Sequence, residues 1–144
     1  MSDLYDDDVL QWSEQQANLL RRHAAGEKLN PQPDWANIIE EIESVGRSEL
    51  TAVQSLLVQG LVHDLRSQAW PNSPHVPHWR AEARGFRDDA ARSFSPSMRQ
   101  RIDVAQLYRQ ALRRLPDTIN GQLPEPVPHE CSTSLSELLG SERD

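Results

Sequence analysis

The sequence predicts an all-α protein: a bundle of four main helices plus a short C-terminal helix, built on one long central helix. Three observations predict it. Apolar residues recur at three- and four-residue steps along most of the chain, the period of a helix with one buried face. Eight of the ten prolines gather in three places, residues 31–33, 71–77 and 124–128, instead of being spread throughout. The remaining stretches are rich in Leu, Ala, Arg, Glu and Gln, most of them good helix formers.

The first helix lies between Asp6-Asp7-Asp8 and Arg21-Arg22-His23, with acids at its start and bases at its end to complement its dipole. Its stripe is Tyr5, Val9, Trp12, Gln16, Leu19 and His23, and Gly26 is a left-handed stop. A short extended link, Leu29-Asn-Pro-Gln-Pro, leads to Asp34, a good N-cap. The central helix then spans residues 35–69, roughly 50 Å at 1.5 Å per residue. Trp35, Ile38, Ile39, Ile42, Val45, Gly46, Val53, Leu56, Leu57 and Gly60 share its stripe, with Gly46 as the point where it could bend. Beyond Leu57, Val58, Leu61, Val62 and Leu65 make it apolar nearly all round, so its second half is expected to be buried.

Three prolines in Pro71-Asn-Ser-Pro-His-Val-Pro-His78 reverse the chain, because each lacks a backbone donor. Trp79, Ala83, Phe86, Ala90 and Phe94 stripe the third helix, flanked by Arg80, Arg84 and Arg87. Ser95-Pro96 reads as a cap and first turn of a fourth helix running to about Arg114, burying Met98, Ile102, Ala105, Tyr108 and Leu112. The proline-rich strap of residues 116–128 is expected to lie extended over the surface. Ser134 and Glu137 have capping-box spacing ahead of a last helix, Leu135 to Leu139.

A chain of 144 residues suits a single helical domain spanning residues 1–144 with one core. The net charge of −7 argues against nonspecific nucleic-acid binding by the molecule as a whole. That charge is unevenly placed: residues 1–49 carry eleven acids against four bases, whereas residues 80–114 carry nine arginines against four acids. The lone Cys131 cannot form an internal disulfide, and the acidic start is not a signal peptide, which points to the cytoplasm. The longest uncharged run, Leu50 to His63, falls short of the roughly 20 apolar residues a bilayer span needs.

The segment Asp34-Trp-x-x-Ile-x-Glu-Glu-Ile-Glu-x-x-Gly-Arg-Ser-Glu49 resembles the signature of a bacterial helical family, domain of unknown function 29. His63 and Leu65, Trp79, Ser95-Pro-Ser97 and a tail where Cys131 precedes Leu135, Leu138 and Leu139 extend the resemblance over nearly the whole chain. Two departures stand out. His63-Asp-Leu-Arg-Ser67 replaces the usual His-Leu-Leu-Lys-Trp, and Ser132-Thr133 replaces Pro-Trp after the tail cysteine. The resemblance implies an all-helical fold and supplies no activity.

Glu49 and His63 fall on the apolar stripe and need partners if buried. One reading is a structural clamp joining Glu49 or Glu43 to Arg80 or Arg87. The other is a ligand site whose polar groups are Glu43, Glu49, His63 and Arg80, with Asp64 beside them. The fourteen residues between Glu49 and His63 span about 21 Å along a straight helix, too far to share one small ligand. Trp35, Glu41, Gly46 and Arg87 read as structural: an aromatic anchor, a carboxylate for arginine pairing, a bend and a clamp. The histidines of His75-Val-Pro-His78 and the His129-Glu-Cys131 pair are zinc-ligand types without a finger's spacing. No metal or cofactor is expected, and no phosphate-binding loop or nucleophile elbow occurs.

The sequence therefore predicts a non-enzymatic helical interaction module that forms a homodimer or engages a protein partner. An enzyme or ligand binder centred on those four polar residues is the first alternative. A nucleic-acid-associated accessory or toxin-antitoxin component using the arginine-rich segment is the second.

Overall fold

A computed structural model of the chain describes residues 3–140. The elements are α1 (Leu4–Asp7), α2 (Val9–Ala24), α3 (Trp35–Ala69), α4 (Val76–Ser93), a 3-10 turn (Pro96–Met98), α5 (Val104–Arg113) and α6 (Leu135–Leu138). No strand is present among the described residues; Ile119 and Gln122 form one isolated bridge across the Asn120-Gly121 turn. By contact density the chain divides into two units, one up to Arg47 and one from Ser48 onward.

The first unit contains α1, α2 and the beginning of α3. Asp8, with extended backbone, accepts from Gln11 N–H at 3.0 Å and starts a new helix, so the predicted first helix is two. Gly26, at φ +88°, supplies the left-handed stop that its lack of a Cβ makes inexpensive. Trp12, Gln16, Leu19, Leu29 and Ile38 are buried between the helices. Asp34 ties them together: its carboxylate accepts from Trp12 Nε1 at 3.0 Å and Asn37 Nδ2 at 2.8 Å, and its N–H donates to Gln16 Oε1 at 2.7 Å. Those side-chain hydrogen bonds hold its carboxyl below the usual range, despite some burial.

The second unit has the larger core. Val53, Leu57, Val58, Leu61, Val62 and Leu65 of α3 are buried against Ala90, Met98, Ile102, Leu107, Tyr108, Ala111, Leu138 and Leu139. Trp70, Val76 and Trp79 form a second cluster at the α3–α4 turn. The helix α3 is continuous through Gly46, which has no neighbour where a Cβ would stand. Near Gly60, by contrast, Arg87 Cγ lies 3.4 Å and the Ala83 carbonyl 3.5 Å from that position. A Cβ there would sit in ordinary van der Waals contact with α4, so the position has room for a methyl group and for little more.

The strap is pinned at three points. Trp70 Nε1 donates to the Gln122 carbonyl at 3.0 Å, Glu125 N–H to the Ala69 carbonyl at 2.8 Å, and Tyr108 Oη to the Pro128 carbonyl at 2.5 Å. The predicted fourth helix is shorter than expected. Ser95 makes no capping bond; Asp103 instead accepts from Ala105 and Gln106 N–H and opens α5. This break lets Met98 and Ile102 both reach the core, while Ala105 is exposed. The last helix starts at Ser134, whose hydroxyl accepts from Glu137 N–H as expected and donates to the Glu137 carboxylate, in place of the box's backbone N–H contact.

Candidate functional site

The polar centre of the second unit forms where α3 and α4 face each other. Because α4 descends antiparallel after the proline turn, Arg87 meets Asp64, donating to its Oδ2 at 2.6 Å. Both side chains are partly buried, 25% and 33% exposed. Burial pushes the Asp64 carboxyl above its ordinary value, and the Arg87 charge opposes the shift without cancelling it. His63, one residue earlier, is half-buried: its Nδ1 lies 2.8 Å from the Gln59 carbonyl and its ring 5.3 Å from the Phe86 ring. Arg80 is exposed and pulls Asp64 weakly toward the charged form.

Asp64 and Arg87 line a cleft of about 310 Å³ whose other walls include Leu65, Tyr108, Cys131 and Glu130. That volume is at the low end for a small-molecule site, roughly 300–1,000 Å³. Besides Arg87 itself, three of its polar side chains have partners. Asp64 holds Arg87, Tyr108 holds the Pro128 carbonyl, and Cys131 Sγ lies 3.4 Å from the Thr133 carbonyl. Burial raises the Tyr108 phenol as well. Among the described residues no three His, Cys, Asp or Glu side chains gather in a way that could hold a metal ion.

The sequence-selected residues do not converge. Glu43 is exposed, 3.9 Å from Arg47, and Glu49 is exposed too, despite sharing the stripe with buried Val53. The proposed clamp of Glu43 or Glu49 to Arg80 or Arg87 is replaced by Arg87 with Asp64. The reason is geometric: α4 runs alongside the second half of α3, where Asp64 stands and Glu43 does not. His63, Asp64, Arg80 and Arg87 do share one neighbourhood. Tyr108 of α5 and the tail around Cys131 line the same cleft, a meeting that no local spacing announces.

A second surface belongs to the first unit. Trp35, Ile39, Ile42 and Val45 of α3 are 42%, 52%, 69% and 63% exposed, although their spacing is that of a core stripe. Trp35 touches only the edge of this exposure, its ring 5.5 Å from His23. On the neighbouring face, Glu41 accepts from Tyr5 Oη at 2.5 Å, which pushes the phenol up to about 12. Arg47 donates to Glu40 at 2.7 Å. The four apolar side chains thus form an uncharged ridge beside an acidic face.

No helix among the described residues is long and apolar enough to cross a membrane. No curated protein matches the chain. Its fold is similar to that of an alpha-helical protein of unknown function from Rhodospirillum rubrum, known from a crystal structure. The two share 25% sequence identity at a TM-score of 0.65, covering 100% of this chain and 94% of that one. The family model described as "Domain of unknown function DUF29" matches residues 4–143, which include the Glu-Glu-Ile-Glu signature, the Asp64–Arg87 pair and the capped last helix; the chain belongs to that family.

Proposed function

We propose that this protein is a non-enzymatic interaction module, and that it associates with itself through the exposed apolar ridge of α3. One observation carries the reading: Trp35, Ile39, Ile42 and Val45, in helical register, are each more than two-fifths exposed. Contiguous apolar patches of a few hundred Å² on a protein surface commonly mark interaction sites, since leaving them wet forgoes about 25 cal/mol per Å². The cleft beside Asp64 favours chemistry less, because its Asp64 and Arg87 are already paired with each other. Asp64 has one cationic partner in contact, and it holds no hydroxyl or thiol as a general base would. A cytoplasmic setting, where Cys131 stays reduced, fits this reading.

Sedimentation across the micromolar range tests it. The expected result is a concentration-dependent shift from monomer to dimer, abolished by Ile42→Asp with helicity unchanged. A wild-type protein that stays monomeric throughout that range would remove the proposal.

A further inference from the structure

We infer that the occupant of the ridge is a second copy of the same ridge, set antiparallel about a two-fold axis between Glu40 and Glu41. Trp35 of each copy would then fill the space over Gly46 of the other. The inference rests on the self-association proposed above and adds its geometry.

The argument begins with side-chain sizes. Trp35, Ile39, Ile42 and Gly46 follow four-, three- and four-residue steps, the seam spacing of packed helices. Its ends are opposite in size: Trp35 is a large side chain 42% exposed, its ring edge-on to His23, while Gly46 has nothing within 4 Å of where a Cβ would be. Turning one seam against another about its midpoint pairs Trp35 with Gly46 and Ile39 with Ile42. Large meets small and medium meets medium, which is how facing positions interdigitate at native density.

Other registers fail on the same residues. A shift of one heptad in one direction sets the carboxylate of Glu49 against Ile39. The opposite shift runs off the start of α3 at Trp35 and leaves Ile42 without a counterpart. Parallel copies would stack Trp35 on Trp35 and leave a void at Gly46. A two-fold pairing makes each patch its own complement, as closed dimers require.

Area is consistent with a second copy. Four such side chains at these exposures offer on the order of 100 Å² each, so a symmetric pair covers roughly 800 Å² of apolar surface. Since about 65% of a homodimer interface is apolar, the whole contact is roughly 1,200 Å², the lower bound for a stable pair. The first unit also has reason to pair. Its helices bury only a thin set of side chains, and fewer than about 50 residues make a meagre core alone.

The test is a size swap followed by sedimentation, with circular dichroism to verify helicity. Gly46→Trp alone weakens dimerisation roughly tenfold or more, by overfilling the space that Trp35 needs. The double variant Trp35→Gly with Gly46→Trp restores it, because each large side chain again faces a small one. A second, milder variant guards against misfolding: Gly46→Cys in a Cys131→Ser background, exposed to oxidant. In the antiparallel pair the two introduced thiols lie about 16 Å apart along the axis, so no linked dimer forms. A dimer indifferent to Gly46→Trp, a swap that fails to restore a helical protein's association, or efficient disulfide linkage of the Gly46→Cys variant would overturn the geometry while leaving self-association standing. A wild-type monomer would remove both.

Discussion

At the scale of single residues, Asp64 and Arg87 show how a charge pair is held in a partly buried place. A carboxyl whose folded pKa lies above its unfolded value binds protons more readily in the folded protein. Its ionisation therefore opposes folding at neutral pH, and the penalty fades as pH falls through the raised value. Removing the guanidinium makes the penalty larger. Arg87→Ala is expected to cost about 1–2 kcal/mol at neutral pH, less than a fully buried pair because both groups are partly solvated. The loss shrinks toward pH 4, and Asp64→Asn added to Arg87→Ala recovers most of it. Urea denaturation at the two pH values checks this; an equal loss at both would exclude the charge explanation. Tyr5 carries the same sign at higher pH, since its folded pKa is also raised. Its phenol is pushed up to about 12 by donating to Glu41, so this contact stabilises the fold below the ordinary tyrosine range and is lost as pH climbs through the raised value. In a Tyr108→Phe protein, where Tyr5 is the remaining tyrosine, phenolate absorbance should appear with a midpoint near about 12 and move down toward 10 in Glu41→Gln. Sequence spacing flagged His63 and Asp64 as neighbours in one region, but it could not show which arginine reaches them. That depends on the depth at which α4 docks, which is set by packing at Gly60 and Ala83.

At the scale of elements, periodicity located the helices well and their ends less well. The continuous α3 from Trp35 to Ala69 follows from a stripe that keeps its phase through Gly46, and its buried second half follows from apolar residues on several faces. The stripe also misled. A helix shows its apolar face equally whether the face is covered or bare, so Trp35, Ile39 and Ile42 read as core and are exposed. The breaks at Asp8 and Asp103 were missed because both residues sit inside otherwise regular patterns, where an aspartate can cap or simply face water. Asp103 accepts from two backbone N–H groups of the first turn of α5, so Asp103→Ala should cost about 1 kcal/mol, measured by thermal unfolding. Gly60→Leu tests the helix approach. The space beside Gly60 is filled by Arg87 Cγ and the Ala83 carbonyl, and a bulky side chain there should destabilise by about 1–3 kcal/mol. The same substitution at Gly46, where nothing stands in the way, should instead stabilise by about 0.5–1 kcal/mol through helix propensity, at a concentration where the protein is monomeric.

At the scale of the whole molecule, charge distribution decides how association responds to salt. Residues 1–47 carry ten acids against four bases, so nearly all of the net charge of −7 belongs to the unit that bears the apolar ridge. The ridge itself is neutral, but two copies brought together bring two acidic surfaces with them. Their repulsion acts over the Debye length, about 30 Å at 0.01 M salt and about 8 Å at 0.15 M. Self-association should therefore tighten several-fold as salt rises over that interval, an effect on the order of 1 kcal/mol for exposed charges at these separations. A basic partner helix seated on the same ridge would show the reverse, since salt would screen an attraction. Sedimentation equilibrium at the two salt concentrations separates these cases without any substitution. Ile42→Asp then removes the association at both, because it places a carboxylate in the dry centre of the contact, where screening by salt has little reach.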